Sequence, residues 1–358
     1  MKLVRRRPRA CLLAAAAMAL GGATFATGAR ETYAMEAPEG WAAPRGDISV
    51  LTYNVKGLPR PVAFGREEML ERIGLRLAAM RRAGQQPAVV VLQEAFTPEA
   101  RRIGKLAGYA HVIDGPAQDS ANLSPASAGM NRERSWLLGE TQAPRLGSGL
   151  VLLSDLPVVS VRRSAFPRQA CAGFDCLANK GVLLAVLELP GKGRVAVATT
   201  HFNSRGASGA PVRDSQAAFK AQAHYLSQFL RREWDGAVPL VIAGDFNRGQ
   251  RPYRMAVLPR SIESLAPSRP IAEGLSASQS RQLVASRDRG DAQWIVERAR
   301  DMQFLVPGTD GSLTPVAAWV PFGSEPDGES LSDHFGFVVN YAIERGRSGE
   351  APRPDTAA

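Results

Sequence analysis

Short apolar runs that stop at polar residues recur along the chain, and they constrain its fold more than any other feature. Most are four to eight β-branched or aliphatic residues bounded by Gly, Pro or Asp, which is typical of β-strands. The predicted strands are 48–53, 88–92, 149–153, 181–189, 194–199, 239–243, 302–306 and 336–339. Amphipathic patterns predict helices at 67–82, 98–106 and 214–232, with Thr97 and Asp214 as the N-caps of the second and third.

The order of these elements indicates an α+β fold. Some strands stand singly between helices, whereas 181–189 and 194–199 are consecutive. This mixture predicts a mixed sheet, or two sheets with outer helices, rather than a simple parallel barrel. Two stretches, 114–147 and 251–292, are rich in Ser, Ala, Gly, Pro and Arg, and we expect irregular surface insertions that carry substrate choice. One domain over 30–345 and a disordered tail over 346–358 are expected.

The first thirty residues have the composition of a secretory signal peptide. Five basic residues within 2–9 precede an apolar run at 10–20, and small residues follow through 29. The apolar run is shorter than the roughly 20 residues that span a bilayer, so an uncleaved anchor is the weaker interpretation. We expect removal of residues 1–29, although cleavage after Ala26, Ala29 or Ala34 fits the pattern. The expected location is the periplasm or the medium.

Loss of that segment lowers the formal charge from +10 to +5, because it holds five basic and no acidic residues (10 − 5 = 5). A modest positive surplus suits an anionic surface or a phosphate ester and does not demand nucleic acid. No later stretch is long and apolar enough to cross a membrane.

Three cysteines are present, and Cys11 lies in the predicted signal peptide. Cys171 and Cys176 are then the only pair in an exported chain, which predicts a local disulfide. A free buried pair is the alternative. Their spacing does not fit a zinc site, and no second pair exists.

Polar side chains follow or precede the apolar runs at five places. They are Asn54, Glu94, His201, the pair Asp245 and Asn247, and the pair Asp333 and His334. Strand ends at one edge of a sheet can gather remote side chains into a single cleft. Each residue alone is a weak signal, since Asn and Asp after a strand are commonly turn formers. His111 and His224 do not belong to this set of strand-end residues, and we interpret them as structural.

Six segments in this order resemble the endonuclease/exonuclease/phosphatase superfamily. They are TYNVKGLP (52–59), LQEAF (92–96), SGLVLLS (148–154), TTHFNS (199–204), GDFN (244–247) and SDH (332–334). The resemblance covers 47–339 and implies a four-layer αββα sandwich like that of deoxyribonuclease I, with two face-to-face mixed β-sheets flanked by helices. It also implies hydrolysis of a phosphoric diester by direct attack of water.

The same resemblance implies roles for the strand-end residues, and these roles suit their chemistry. Glu94 supplies an oxygen ligand of the kind that Mg²⁺ (or Mn²⁺) prefers, and Asn54 completes or braces that metal site. His334 is the general base, because an imidazole can accept a proton from water near neutral pH. Asp245 positions the nucleophile or the water at the leaving group. His201 and Asn247 donate hydrogen bonds to the phosphoryl oxygens, and Asp333 supports the metal–water network.

Two segments resemble neutral sphingomyelinases more narrowly. The segment 171–182 ends in Lys180-Gly181, where the lysine would place a cation against the substrate phosphate. Trp319 and Phe322 lie where secreted bacterial sphingomyelinases carry an aromatic hairpin that enters lipid. Both are therefore candidates for membrane contact, although a tryptophan in the core is an equal alternative.

One position departs from the family pattern. Members have an Asp that orients the catalytic His, in a triplet on the strand before the last motif, and Met302-Gln303-Phe304 is taken as the matching triplet. Gln303 would accept a hydrogen bond from His334 without stabilising its charge. Asp301 is next to the triplet, and strand alternation is taken to direct it to the opposite face.

The leading hypothesis is a metal-dependent enzyme that hydrolyses sphingomyelin, or a related phospholipid, to ceramide and phosphocholine at a membrane surface, with no obligate protein partner. A secreted nuclease and a phosphoinositide or sugar-phosphate phosphatase are the alternatives within the same fold. The insertions lack the aromatic and basic interleaving of a nucleic-acid track. A non-catalytic lipid-binding module is a minor alternative.

Overall fold

Within residues 46–121, 133–326, 328 and 330–345, which the computed structural model describes, twelve strands form two six-stranded sheets. The strands are β1 (Ile48–Gly57), β2 (Val89–Ala95), β3 (His111–Asp114), β4 (Val151–Ser154), β5 (Val158–Ala165), β6 (Gly181–Leu189), β7 (Gly193–His201), β8 (Leu240–Asp245), β9 (Ala272–Glu273), β10 (Asp301–Val306), β11 (Gly311–Phe322) and β12 (Gly336–Arg345). The first sheet has the order β11-β12-β1-β2-β4-β3, and the second has the order β5-β6-β7-β8-β10-β9. The predicted signal peptide and tail lie outside the described residues.

Six helices accompany the sheets in the described part of the chain. They are α1 (Arg66–Arg82), α2 (Pro98–Ala107), α3 (Val212–Glu233), α4 (Pro252–Glu263), α5 (Gly274–Ser280) and α6 (Arg289–Arg298). The Ala100 N–H donates to the Thr97 hydroxyl at 3.3 Å, which confirms the predicted cap of α2. The predicted cap of α3 is wrong, because Asp214 lies in the first turn and Pro211 is the N-cap.

The strands alternate in the faces they bury, and this alternation produces four layers. In β1, Ile48 and Val50 pack in the layer between the sheets, whereas Leu51 and Val55 pack in the layer that contains α1 and α2. On the other side, α3 and α4 pack on the outer face of the second sheet. The αββα sandwich with two mixed sheets is therefore confirmed.

The stretch 251–292 was expected to be irregular, and that prediction is wrong. It contains α4, α5 and the beginning of α6. Leu275 of α5 and Ala292 of α6 are buried in the layer between the sheets, so this segment is part of the hydrophobic core and not a surface insertion. A proline inside α4 and many serines and arginines hide the helical pattern in the sequence.

Trp319 and Phe322 are buried, so their prediction as membrane contacts is wrong. Both belong to the core layer beneath α1, and the Phe322 ring stacks on Tyr53 with centroids 4.8 Å apart. Arg76 of α1 covers that ring and pairs with Glu325 at 2.6 Å, which seals this end of β11. β11 is the edge strand of the first sheet, but both side chains point into the sandwich and not toward solvent. No helix among the described residues has the length and apolar character that a bilayer-spanning segment requires.

Candidate active site

Two parallel strand pairs bring the polar strand ends together. β1 and β2 are parallel with Asn54 opposite Gln93, so Asn54 and Glu94 lie at the same edge of the first sheet. β7 and β8 are parallel with His201 opposite Asp245 at the corresponding edge of the second sheet. His334 lies just before β12, which is antiparallel to β1. One cleft of about 980 Å³ is lined by Glu94, His201, Asp245 and His334, and Asn54 bridges two of them.

Strained backbone is concentrated at this cleft. Lys56, Glu94 and Asn247 have φ values of 51°, 55° and 49°, a region that side chains other than glycine rarely adopt. All three line the cleft, and only two other described non-glycine residues have positive φ. Backbone strain persists where the surrounding structure enforces it, commonly at functional sites. Glu94 is the next-to-last residue of β2, and its carboxylate lies at the cleft.

Asn54 connects the two sheets through their carboxylates. Its Nδ2 donates to Glu94 Oε1 at 3.1 Å and to Asp245 Oδ2 at 3.2 Å. Its Oδ1 accepts from the Lys56 N–H at 3.1 Å, which fixes the orientation of the amide. Two carboxylates therefore converge on one side chain, and they create a strongly negative point at the floor of the cleft.

Asp301 is the orienting carboxylate that sequence reasoning missed. Its Oδ2 lies 2.7 Å from His334 Nδ1, and the register of β10 with β8 places Asp301 opposite Asp245. The prediction that Asp301 faces away is wrong, because positions 301 and 303 are two residues apart and share a face of the strand. An acidic residue directly before the apolar run 302–306 was the available signal.

Gln303 does not contact His334, which overturns its predicted role. It is fully buried, and its Nε2 donates to the Val50 carbonyl at 3.1 Å while its Oε1 accepts from the Tyr341 hydroxyl at 2.7 Å. Gln303 thus joins the two sheets in the core, away from the imidazole.

Gln303→Asp is accordingly expected to destabilise the protein rather than to improve catalysis. The shorter, charged side chain would lose both hydrogen bonds and bury an unpaired charge, which costs about 3–5 kcal/mol. Urea denaturation of the variant and of the wild type measures this loss. Gln293→Asp, on the exposed face of α6, is the matched control. Unchanged stability with a higher turnover would contradict the assignment.

Opposing effects set the charge of the His334 imidazole. Burial alone would lower the pKa of His334, but the carboxylates of Asp301 and Asp245 outweigh it and raise that pKa to about 9. Its Nε2 lies 3.8 Å from Asp245 Oδ2, so the free nitrogen faces the site. Hydrogen bonding at Nδ1 and an open Nε2 is the arrangement that a general base requires.

His201 is held in the neutral state. Burial and the nearby Lys180 ammonium group lower the pKa of His201 to about 3. Its Nε2 lies 3.4 Å from Asp245 Oδ2 and 3.3 Å from Lys180 Nζ. A neutral imidazole here is a hydrogen-bonding group and does not act as a cation.

Lys180 and Asn247 also lie at the cleft, and each is tied to the same turn. The Lys180 ammonium group donates to Asp175 Oδ1 at 2.7 Å and to the Phe202 carbonyl at 3.2 Å. Asn247 Nδ2 donates to the Phe202 carbonyl at 3.1 Å. Asp175 lies inside the loop closed by the Cys171–Cys176 disulfide, which confirms the predicted pairing and presents Asp175 to the lysine.

Asp333 lies at the rim of the cleft instead of its floor. Its carboxylate pairs with Lys56 Nζ at 3.4 Å, and more than half of its side chain is exposed. Burial would raise the pKa of Asp333, but His334 and Lys56 outweigh this effect and lower it. A direct role for Asp333 at the reacting atoms stays a prediction.

The donor set of the cleft fits a divalent cation. Asp245, Asp301 and His334 offer ligand atoms within 4.8 Å of one another. His334 Nδ1 is already bonded to Asp301, however, and Mg²⁺ prefers oxygen ligands, so the Glu94 carboxylate, which Asn54 Nδ2 braces, provides the better site. Desolvation raises the pKa of Glu94, which a neighbouring cation would reverse. Both observations favour a cation beside Glu94.

Solved structures share this fold at low sequence identity. A mutant beta toxin from Staphylococcus aureus with bound magnesium ions is 16% identical, with 82% of this chain and 99% of that chain covered and a TM-score of 0.56. Sphingomyelinase C from Streptomyces griseocarneus is 21% identical, with 82% and 99% covered and a TM-score of 0.54. D. rerio TDP2 complexed with single-strand DNA product is 15% identical, with 82% and 98% covered and a TM-score of 0.51. These identities show the fold alone.

No curated protein matches the chain by sequence. The model of the Endonuclease/Exonuclease/phosphatase family does match, over residues 51–334, which include strands of both sheets and every strand-end residue described above. The chain belongs to the Endonuclease/Exonuclease/phosphatase family.

Proposed function

We propose that the protein is an exported, metal-dependent phosphodiesterase that hydrolyses a phospholipid, with sphingomyelin as the substrate that the sequence resemblance suggests. The observation that carries the reaction type is the His334–Asp301 pair, which adjoins Asp245 on the floor of the cleft. Family membership supports phosphoric ester chemistry. The signal-peptide pattern at 1–29 supports export to the periplasm or the medium.

Hydrolysis of the diester needs a base, stabilisation of the phosphoryl oxygens and assistance to the leaving alkoxide. His334 Nε2 accepts a proton from water while Asp301 stabilises the imidazolium that forms. The water oxygen bonds to phosphorus, the bond from phosphorus to the lipid oxygen breaks, and that oxygen takes up a proton. Asp245 orients the attacking water or the water at the leaving group.

The remaining groups stabilise the charge of the phosphate. Lys180 and Asn247 present hydrogen-bond donors at the cleft, and both donate to the Phe202 carbonyl in the turn after β7. His201 Nε2 accepts from Lys180 and thereby helps to fix the ammonium group. Glu94, braced by the Asn54 amide, would hold Mg²⁺ or Mn²⁺, and the ion would neutralise negative charge that develops on the phosphate. Prearranged donors of this kind are among the largest contributions to enzymatic rate.

Exposed apolar side chains at the cleft mouth favour a lipid substrate. Val62 is 70% exposed and Phe64 69% exposed on the loop after β1, and Phe174 is 49% exposed on the opposite wall. Val62 and Phe174 both line the cleft. Large apolar groups gathered at a site entrance mark an interaction surface. These residues replace Trp319 and Phe322 as the candidates for membrane contact.

Release of phosphocholine from sphingomyelin vesicles, with supercoiled plasmid as a parallel substrate, tests the proposal. We expect lipid turnover in Mg²⁺ and its loss in EDTA, since the proposed chemistry needs the cation. Turnover of other phospholipids, assayed in the same way, shows which head group the enzyme prefers. Plasmid nicking without turnover of any lipid would overturn the substrate, and no hydrolysis of either would favour a non-catalytic module.

A further inference from the structure

A hydrogen bond between two core residues links the sheets directly behind the reacting groups. Gln93 of β2 and Thr199 of β7 are fully buried, and Gln93 Nε2 donates to Thr199 Oγ1 at 3.3 Å and to the Val91 carbonyl at 3.2 Å. β2 belongs to the first sheet and β7 to the second, so the bond crosses the layer between them. The proposed reaction uses neither side chain.

Strand alternation brings the two side chains together. Val91 of β2 and Val197 of β7 pack in the apolar layer between the sheets. Side chains two positions apart share a face of a strand, so Gln93 and Thr199 continue the faces of these valines toward the cleft. The two residues therefore end the apolar layer on the side nearest the cleft.

Two groups that act in the cleft adjoin this pair. Glu94 follows Gln93 directly, and His201 shares a face of β7 with Thr199. In the cleft, His201 Nε2 lies 3.9 Å from Glu94 Oε1. The proposed metal ligand and the imidazole that holds Lys180 thus approach each other in front of the Gln93–Thr199 bond.

The backbone of Glu94 has to be held in place by its surroundings. Its φ of 55° is strained, and such strain persists only where the surrounding structure enforces it. On the C-terminal side, the Ala95 N–H donates to the Gly149 carbonyl at 2.8 Å. On the N-terminal side, Gln93 is bonded to Thr199 of the other sheet. The strained residue is therefore anchored on both sides.

A polar pair at these positions has an effect that apolar side chains would not have. Apolar contacts are non-directional, so they tolerate a small shift of one sheet over the other. A hydrogen bond weakens steeply when its geometry departs from the preferred range. Buried polar groups that are bonded make a core more rigid and favour one arrangement of it. The Gln93–Thr199 bond accordingly specifies how the edge that carries Glu94 lies against the edge that carries His201.

We propose that Gln93 and Thr199 are positioning residues, whose hydrogen bond holds the strained Glu94 and sets its distance from His201. This rests on the proposed function, which places the cation beside Glu94 and the substrate phosphate beside Lys180. The pair touches neither the cation nor the substrate. It acts through Glu94 and His201, and it keeps the cation and the phosphate-binding groups at the separation that one phosphodiester requires.

Thr199→Val tests the proposal, because valine keeps the branched shape of threonine and lacks the hydroxyl. We expect that about tenfold more Mg²⁺ is needed for a given increase in the thermal midpoint, a loss typical of groups that support metal ligands. Gln93→Leu should have the same effect. The double variant should lose no more than either single variant, because all three lack the same contact. Thr199→Ser retains the hydroxyl and should need the wild-type Mg²⁺ concentration.

Turnover provides a second measurement. With the lipid that the wild type hydrolyses, Thr199→Val should lower kcat by about tenfold and leave KM nearly unchanged, because misalignment raises the barrier of the chemical step. Tyr109→Phe is the matched control, since it removes a buried hydrogen bond to the Pro87 carbonyl near the opposite end of β2. It should lower the thermal midpoint and leave the Mg²⁺ requirement and kcat unchanged. A wild-type Mg²⁺ requirement and kcat in Thr199→Val and Gln93→Leu would overturn the proposal.

Amide hydrogen exchange distinguishes failure of this proposal from failure of the proposed function. If the wild type does not respond to Mg²⁺, the cation site at Glu94 fails, and the exchange rate of the Ala95 N–H decides the positioning role. Faster exchange in Thr199→Val and Gln93→Leu, but not in Thr199→Ser or Tyr109→Phe, supports it. Exchange at the wild-type rate in both variants overturns it. Thr199→Val decides alone if Gln93→Leu does not fold.

Discussion

Asp301→Asn is expected to lower kcat by about 10²–10⁴-fold, a loss comparable to that of His334→Ala. The amide can still contact His334 Nδ1, which is 2.7 Å from the present carboxylate, but it cannot stabilise an imidazolium. The pH–rate profile provides the more specific measurement. Asp301 and Asp245 together raise the pKa of His334 to about 9 against the effect of burial, so removal of one carboxylate lowers that pKa.

The direction of the pH effect follows from the form of His334 that is active. A general base works as the neutral imidazole, so the rate rises as pH increases through its pKa. A lower pKa moves this ascending limb to lower pH in Asp301→Asn, while the plateau falls because the base is weaker. Asp310→Asn, beyond the other end of β10, is the matched control. A normal kcat, or a limb that moves to higher pH, would show that another group orients the base.

Glu94→Gln is expected to abolish the response of the protein to Mg²⁺ and to lower kcat/KM by more than about 100-fold. Loss of groups that merely support metal ligands costs about 10–100-fold, so loss of the proposed ligand itself should cost at least as much. Thermal unfolding supplies a readout that does not depend on activity. A ligand that binds only the folded state raises the midpoint, and this increase should disappear in the variant.

In the absence of metal, Glu94→Gln should increase the stability of the folded protein. Desolvation raises the pKa of Glu94 in the folded state, so the charged carboxylate disfavours folding once the pH exceeds the unfolded value. The neutral amide removes that penalty, and the variant should be slightly more stable than wild type in EDTA near neutral pH. Glu99→Gln, in the first turn of α2, is the control. A Mg²⁺ response that survives in Glu94→Gln would place the cation elsewhere, with Asp245, Asp301 and His334 as the alternative ligands.

The strand-end residues can be identified from the sequence because their signal is local: an apolar run ends at a polar residue. Parallel pairing of β1 with β2 and of β7 with β8 then brings those strand ends to one edge of the sheets. The expected placement of Asp301 opposite Gln303 is wrong, because positions 301 and 303 of one strand share a face. Strand alternation alone therefore directs Asp301 to the same side as Gln303, where it contacts His334.

Other features depend on tertiary packing and were not accessible from local patterns. Trp319 and Phe322 form an exposed aromatic tip or a buried strand according to what covers them, and α1 covers them here. The helices within 251–292 have serine-rich and arginine-rich sequences, so their apolar faces are short. Three separate segments supply Arg205, Arg248, Arg251 and Arg300 to the cleft, and no spacing in the sequence indicates that they line one site.

Each sheet contributes about half of the reacting groups. Asn54, Glu94 and His334 belong to the first sheet or its edge, whereas His201, Asp245 and Asp301 belong to the second. Among the described residues, no strand ladder joins these halves; the Asn54–Asp245 and His334–Asp301 hydrogen bonds connect them at the cleft. Behind the cleft their alignment depends on the apolar layer and on Gln303 of the second sheet, which bonds to Val50 and Tyr341 of the first. Catalytic activity therefore depends on the interface between the two sheets. A shift of one sheet relative to the other would abolish activity even if every strand remained folded.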